Sequence, residues 1–136
     1  HWITPFIEPR RFTARFFLAR LPAGQSPTVD QGEAVEGEWF APPDAVARHA
    51  SGDIVLPPPT LTILDHLARA GVDAWLRPDP RLWRAVEPVM VEQDGIPVLA
   101  FPGDVLHAEP DGVPGAATRV EIRDGRFVLA WRPRAT

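Results

Sequence analysis

Three arginines near the start of the chain have a side chain suited to phosphate binding. Arg10, Arg11 and Arg15 lie close together in the sequence. A guanidinium group presents a planar fork of N–H donors, and this fork matches the oxygens of a phosphate. Exposed arginines are also common on strands without any ligand, so an ordinary solvated face is the alternative. The side-chain chemistry makes these three positions a candidate substrate-binding group.

Three glutamates form a second charged group of interest. Glu33, Glu36 and Glu38 come just before Trp39. In a regular strand Glu36 and Glu38 would share one face, and Glu33 would lie on the other. The plain interpretation of this group is the solvated, acidic start of a strand.

Arg11 and Arg15 are predicted to lie on a strand, and Arg10 directly precedes it. Phe12, Ala14, Phe16 and Leu18 alternate with more polar residues, and this period of two indicates a half-buried strand over Arg11 to Ala19. Trp2 to Thr4 forms a separate short strand, because Pro5 and Pro9 each remove a ladder donor. We expect the two strands to belong to one sheet. The glutamates are placed on a further strand, Glu33 to Phe40.

Two helices and two hairpins follow. The first helix is predicted over Ala45 to Ala50 with Gly52 just past its end. The second is predicted over Leu61 to Ala70, with Thr60 as N-cap and with Leu64 and Leu67 packed on the sheet. Asp-Gly pairs at 94–95 and 124–125 lie between apolar runs and predict β-hairpins.

Composition narrows the class of protein. The chain has 136 residues, a net charge of −4, no cysteine, and arginine as its only basic residue apart from histidine. This length favours one domain with a real core. The net charge gives no case for nucleic-acid binding, and no apolar run is long enough to span a membrane. The absence of cysteine excludes disulfides and thiolate chemistry and fits a cytoplasmic location.

Several sequence features together resemble the Nudix hydrolase superfamily. They are Trp2-Ile3-Thr4-Pro5, Arg10-Arg11-Phe12, Arg15-Phe16-Phe17-Leu18, Glu33 with Trp39 and Pro42, Leu56-Pro57-Pro58-Pro59 before a leucine-rich helix, and Phe101-Pro102-Gly103-Asp104-Val105-Leu106. Within the superfamily, the chain looks most like the branch of the peroxisomal coenzyme A diphosphatase and its bacterial relatives. The resemblance spans residues 1 to about 107.

The resemblance implies a fold and an activity. The fold would be α/β (α+β), a Nudix-like α/β/α sandwich around a mixed sheet, and the activity would be hydrolysis of a nucleoside diphosphate derivative of the coenzyme A or acyl-CoA type with Mg²⁺ or Mn²⁺. It also implies that one of Glu33, Glu36 and Glu38 is an extra metal ligand or general base, with Glu38 as the candidate metal ligand. We expect residues 1–76 to form the later part of a Nudix-like domain and residues 77–136 to form a C-terminal extension that carries the hairpins.

One departure from the family pattern limits this hypothesis. The superfamily carries its metal-binding glutamates on a helix with the motif R-E-x-x-E-E-x-G, and this sequence does not contain that motif. The chain would then correspond to the part of the domain after this helix and would be inactive alone. We expect the N-terminal half, or a second copy, to cover an exposed apolar patch around Trp2, Ile3 and Phe17. The alternative is a binding or interaction module without catalysis.

Overall fold

Two antiparallel sheets and three α-helices form the fold in the computed structural model, which describes residues 1–30, 32, 34–77 and 79–134. The α+β class predicted from the sequence is therefore confirmed. Parallel pairing within the described residues is limited to one isolated bridge between Trp2 and Val86. In this part of the chain no helix is both long enough and apolar enough to cross a bilayer.

The larger sheet lies in the C-terminal part and has the strand order β3-β4-β5-β6. Its strands are β3 (Val89–Gln93), β4 (Ile96–Ala100), β5 (Arg119–Arg123) and β6 (Arg126–Ala130). Both predicted hairpins are confirmed, and their two-residue turns have positive φ at each central residue. Only a few residue types tolerate this backbone, and aspartate followed by glycine is one of the best pairs. The turn residues thus fix the register of each hairpin.

One face of this sheet forms the floor of the hydrophobic core. The pairing places Met90 opposite Leu99, Leu99 opposite Val120, and Val120 opposite Leu129, so these side chains share a face. Trp2 is buried against this face and meets the Phe101 ring edge-on, with ring centroids 5.0 Å apart. The core thus joins residues on both sides of position 77, and the proposed division into two parts stays a prediction.

The smaller sheet is a two-stranded ribbon at the start of the chain. Strands β1 (Trp2–Ile3) and β2 (Thr13–Ala14) pair with Trp2 opposite Ala14, which confirms that the two segments share a sheet. The predicted extent of the second strand, Arg11 to Ala19, is wrong. Among the described residues strand β2 pairs with β1 alone, and the antiparallel register places Ala14 opposite Trp2. The residues after Ala14 therefore lie past the first residue of β1 and have no ladder to join.

The predicted strand over Glu33 to Phe40 is also wrong where the structure describes it. Residues 34–40 contain no strand, and Trp39 is 74% exposed rather than an anchor in the core. Without a neighbouring strand edge, alternation alone does not hold a strand in place. Glu33 itself lies outside the described residues.

Three α-helices lie between β2 and β3 in the sequence. They are α1 (Pro42–Ser51), α2 (Pro58–Ala70) and α3 (Val72–Trp75). Gly52 ends α1 in the left-handed conformation, as predicted. Helix α2 begins earlier than predicted: Pro57 is its N-cap, and Thr60 lies inside the first turn. Proline suits the first turn because its missing N–H would have no helical acceptor there.

Helix α2 packs on α1 and on strand β6. Leu61 and Leu67 are buried, whereas Leu64 is only half-buried. The contact of α2 with the hydrophobic core runs through Ile63. Leu67 is buried, but the α2 residue packed against the core cluster is Ile63 rather than Leu64 or Leu67.

Candidate functional site

Arg11 fastens the N-terminal ribbon to the segment before β3. Its Nε donates a hydrogen bond to the backbone oxygen of Thr4 at 3.0 Å, and its Nη2 forms an ion pair with Glu87. The guanidinium also lies over the Phe6 ring, 5.4 Å from its centroid. Thr4 completes the junction by exchanging hydrogen bonds with the backbone of Phe12. A phosphate would have to compete with Glu87 for the Arg11 side chain.

Arg10 and Arg15 are exposed on either side of this junction. Within the part of the chain that the structure describes, no hydrogen bond or ion pair engages either guanidinium. Both side chains can therefore turn toward an anion without breaking an existing bond. Arg10 also lines an apolar groove beside the ribbon. It is the predicted arginine whose placement best suits a ligand.

The two described glutamates lie elsewhere on the surface. Glu36 and Glu38 are exposed on an irregular segment, and Glu38 approaches Arg48, with 3.5 Å between Oε2 and Nη1. Over the described ranges, no hydrogen bond or ion pair joins them to Arg10, Arg11 or Arg15. The third candidate, Glu33, is outside those ranges. The structure therefore does not join the two described glutamates to the arginine group.

The acidic residues present do not fit the divalent metal that the resemblance implies. Among residues 1–30, 32, 34–77 and 79–134, no group of three histidine, cysteine, aspartate or glutamate side chains is arranged to hold a metal ion. Mg²⁺ needs several oxygen ligands in near-octahedral order. Glu38 with its arginine neighbour offers a single carboxylate, so no catalytic step through a metal can be assigned to these residues.

An apolar groove of about 490 Å³ runs between the ribbon and the core face of the larger sheet. Met90, Leu99, Ile122 and Phe127 form its floor. The ribbon contributes one wall, including Ile3 and Ala14, and the start of helix α2 contributes Pro58 and Pro59. Thr4, Glu8 and Arg10 are its polar members. A groove of this size and polarity is typical of small-molecule sites, which take up roughly 300–1,000 Å³.

A buried ion pair lies on the other face of the larger sheet. The Asp104 carboxylate accepts hydrogen bonds from Arg119 Nε at 2.8 Å and Nη2 at 2.6 Å, and Arg119 Nη1 donates to Gln93. The Asp104 and Arg119 side chains are 0% and 2% exposed. Thr118 Oγ1 and the Leu106 backbone N–H also donate to Asp104. Every polar side-chain atom of the pair thus has a hydrogen-bond partner, and the pair anchors the loop between β4 and β5.

Burial by itself disfavours the Asp104 carboxylate, but the bonds from Arg119, Leu106 and Thr118 outweigh it and lower the pKa of Asp104. The Pro102-Gly103-Asp104 run is part of the family resemblance, which implies no role for Asp104. The bond from the Leu106 N–H, two residues on, is a local turn that the sequence could have suggested. The contact with Arg119 has no local signal.

A second feature that the sequence did not reveal is a small, mostly apolar cavity of about 60 Å³ between the chain start and helix α2. His1, His66 and Trp75 are among its lining residues, and the buried atoms His1 Nε2, His66 Nδ1 and Trp75 Nε1 have no hydrogen-bond partner among the described residues. Burial and the nearby Arg69 charge lower the pKa of His66, while Asp65 acts in the opposite direction. His66 is therefore held in its neutral form.

Comparison with known proteins gives one distant similarity. The chain is similar to the acyl-coenzyme A diphosphatase NUDT19 of Xenopus laevis, with 27% identity over an alignment that covers 85% of this chain and 33% of the relative. The chain thus spans about one third of that protein's length. No protein-family model matches the chain. No solved structure matches it with significance. These findings support a distant, Nudix-like relationship.

Proposed function

We propose that this chain is the C-terminal part of a Nudix-like hydrolase that cleaves a diphosphate bond in a nucleoside derivative of the coenzyme A or acyl-coenzyme A type. The similarity to an acyl-coenzyme A diphosphatase over most of the chain is the observation that carries this proposal. Exposed, unengaged arginines beside an apolar groove are compatible with a ligand that has a diphosphate and an apolar part.

In this proposal the arginines bind the substrate. Arg10 and Arg15 contact the phosphate groups, and Arg11 keeps the ribbon in position through Thr4 and Glu87. Because the described acidic residues do not form a ligand set, glutamates outside this chain would hold the Mg²⁺ or Mn²⁺. Bound there, the ion would neutralise diphosphate charge and activate a water.

The surface of the N-terminal segment supports a further partner within the same proposal. Phe6 is 84% exposed, Phe17 is 85% exposed, and Phe12 and Ile7 are also open to solvent. Soluble monomers rarely leave such a concentration of large apolar side chains uncovered. Arg10, Arg15 and Arg20 lie among them, so an acidic, amphipathic helix would complement this surface. A glutamate-rich metal-binding helix from an N-terminal half has that chemistry.

The proposal is tested by supplying that helix. A segment that carries R-E-x-x-E-E-x-G is joined to the chain or added in trans, and hydrolysis of acetyl-coenzyme A is measured with and without Mg²⁺. We expect metal-dependent cleavage of the diphosphate. Arg10→Ala should mainly raise KM, since it removes phosphate binding shared by the substrate and the transition state, and Arg77→Ala is the matched surface control. Metal-independent or undetectable cleavage would refute the proposal.

The same assay examines the glutamates. If one of Glu33, Glu36 and Glu38 acts as general base, its replacement by glutamine should lower kcat by about a hundredfold. Changes below about threefold for all three would assign the base to the added segment.

The second candidate function is a binding or interaction module without catalysis. The lack of a metal-ligand cluster in the described residues, together with the exposed aromatic side chains, favours it. Sequence upstream of His1 distinguishes the two. A strand followed by R-E-x-x-E-E-x-G supports the hydrolase, whereas a start codon directly upstream of His1 supports the module.

A further inference from the structure

The apolar groove beside the N-terminal ribbon has a lining that selects the kind of ligand it can hold. Its floor is the core face of the larger sheet, so the groove continues the hydrophobic core to the surface. Four prolines line it, namely Pro5, Pro58, Pro59 and Pro88. Proline has no backbone N–H, so these positions offer no donor to a ligand.

Part of the ribbon backbone beside the groove is already engaged. The Ile3 N–H donates to Val86, and the Thr4 N–H donates to Phe12. The Thr4 carbonyl accepts from Arg11. A bound peptide strand needs free backbone groups along a sheet edge, and Ile3 and Thr4 do not supply these groups. A ligand without hydrogen-bonding groups along its length does not need them.

The polar members of the groove include a cation. Arg10 lines the groove, and its guanidinium has no hydrogen bond or ion pair within the described part of the chain. Glu8 also lines the groove and would repel an anion at close range. An amphiphile with a long apolar chain and an anionic head that reaches Arg10 satisfies both parts of this lining.

We propose that this groove binds the acyl chain of a coenzyme A thioester, with the anionic part of the ligand directed toward Arg10. The proposal rests on the proposed function, because the choice of a thioester over a free fatty acid comes from it. It adds a location and a specificity: the groove, and not the phosphate-binding arginines, sets the preferred acyl length.

A pair of tryptophan substitutions tests the location. Ala14 lies opposite Trp2 in the ribbon and lines the groove, so Ala14→Trp fills it. Thr13→Trp adds the same side chain on the other face of the same strand, because successive residues alternate faces. Both positions are exposed, so neither substitution opens a cavity in the core.

Binding of coenzyme A and of its acetyl, octanoyl and dodecanoyl thioesters to the 136-residue chain is measured by calorimetry, with dodecanoate as a further ligand. Affinity should rise about fourfold for each methylene until the groove is full. Ala14→Trp should weaken dodecanoyl-coenzyme A binding at least tenfold and leave coenzyme A unchanged, and Thr13→Trp should match the native chain. If Ala14→Trp does not fold, Phe12→Ser, at a groove residue that is 68% exposed, should lower the chain-length dependence.

The outcomes separate this inference from the proposed function. Coenzyme A binding without any chain-length dependence would overturn the groove proposal and leave the hydrolase proposal intact. Dodecanoate binding that Ala14→Trp abolishes, with no contribution from coenzyme A, would overturn the choice of a thioester, show that the groove holds a free acyl chain, and count against the hydrolase. Self-association that Ala14→Trp disrupts, with no acyl binding, would show that a second copy occupies the groove and would also overturn the proposal.

Discussion

The C-terminal sheet and the N-terminal segment 6–40 both contain many apolar side chains, but they bury them to very different degrees. In the sheet Val98, Val120 and Ala100 are at most 1% exposed. In the segment Phe17 is 85% exposed and Trp39 is 74% exposed. Apolar content does not account for the difference. The sheet has a partner strand beside every strand, and the segment has a two-residue pairing with β1.

Hairpin turns explain why the sheet can complete itself. Each Asp-Gly turn brings the next strand back within a few residues, so the closure entropy is small and the register is fixed locally. The described residues of the N-terminal segment contain no such hairpin turn after Ala14, and the apolar residues there need a surface from elsewhere in the chain or from another molecule. Stability in the described structure should therefore come from the sheet and helix α2.

The largest effect is expected at the buried ion pair. Asp104→Asn removes a charge and leaves the Arg119 guanidinium buried without its counter-ion, which should lower the free energy of unfolding by about 3 to 5 kcal/mol. Urea denaturation measures this change. Asp111→Asn at the exposed Arg84 pair is the control and should cost less than about 1 kcal/mol. Equal effects at the two positions would mean that the Asp104 pair does not stabilise the sheet.

A matched pair of leucines compares the two regions directly. Leu61 in helix α2 is 2% exposed, so Leu61→Ala should lower the free energy of unfolding by about 2 to 5 kcal/mol. Leu21, in the N-terminal segment, is 49% exposed, and Leu21→Ala should change it by less than about 0.5 kcal/mol. Chemical denaturation of both variants measures these changes in the free energy of unfolding. A large loss at Leu21 would show that the segment is packed more tightly than described.

The smallest effect is a pH dependence that arises at His66. Burial and Arg69 lower the pKa of His66 from its ordinary 6.5, so the unfolded chain binds the proton more tightly than the folded chain. The contribution is constant above about pH 6.5, and stability falls as the pH drops below that value toward the folded pKa. His66→Asn should reduce the slope of unfolding free energy between pH 7 and pH 5. An unchanged slope would place the titration elsewhere.

The sequence predicted the elements whose signals are local. The hairpins follow from Asp-Gly turns, and helices α1 and α2 follow from glycine, proline and the leucine spacing. The extended strand over Arg11 to Ala19 failed because a strand needs a partner, and alternation does not reveal whether one exists. The prediction of Thr60 as N-cap failed because helix α2 already begins at the prolines before it, which suit a first turn.

The candidate site divides in the same way. The arginines could be selected from side-chain chemistry alone, since the planar guanidinium group suits phosphate oxygens. The groove could not, because its floor and walls come from residues far apart in the chain, such as Ala14, Pro58 and Phe127. The contact of Asp104 with Arg119 is of the same kind. The roles of Arg10, Arg11, Arg15 and the three glutamates stay predictions.

Residues 132–134 are tied to the loop that carries Asp104. The Val105 N–H donates to the Arg132 carbonyl at 3.1 Å, and the Arg134 N–H donates to the Gly103 carbonyl at 2.9 Å. Exposed segments usually fray, and their amide protons then exchange with solvent rapidly. We expect the amide protons of Val105 and Arg134 to be released only when the loop between β4 and β5 opens. They should therefore exchange as slowly as those of the sheet, while the exposed residues 15–21 exchange much faster.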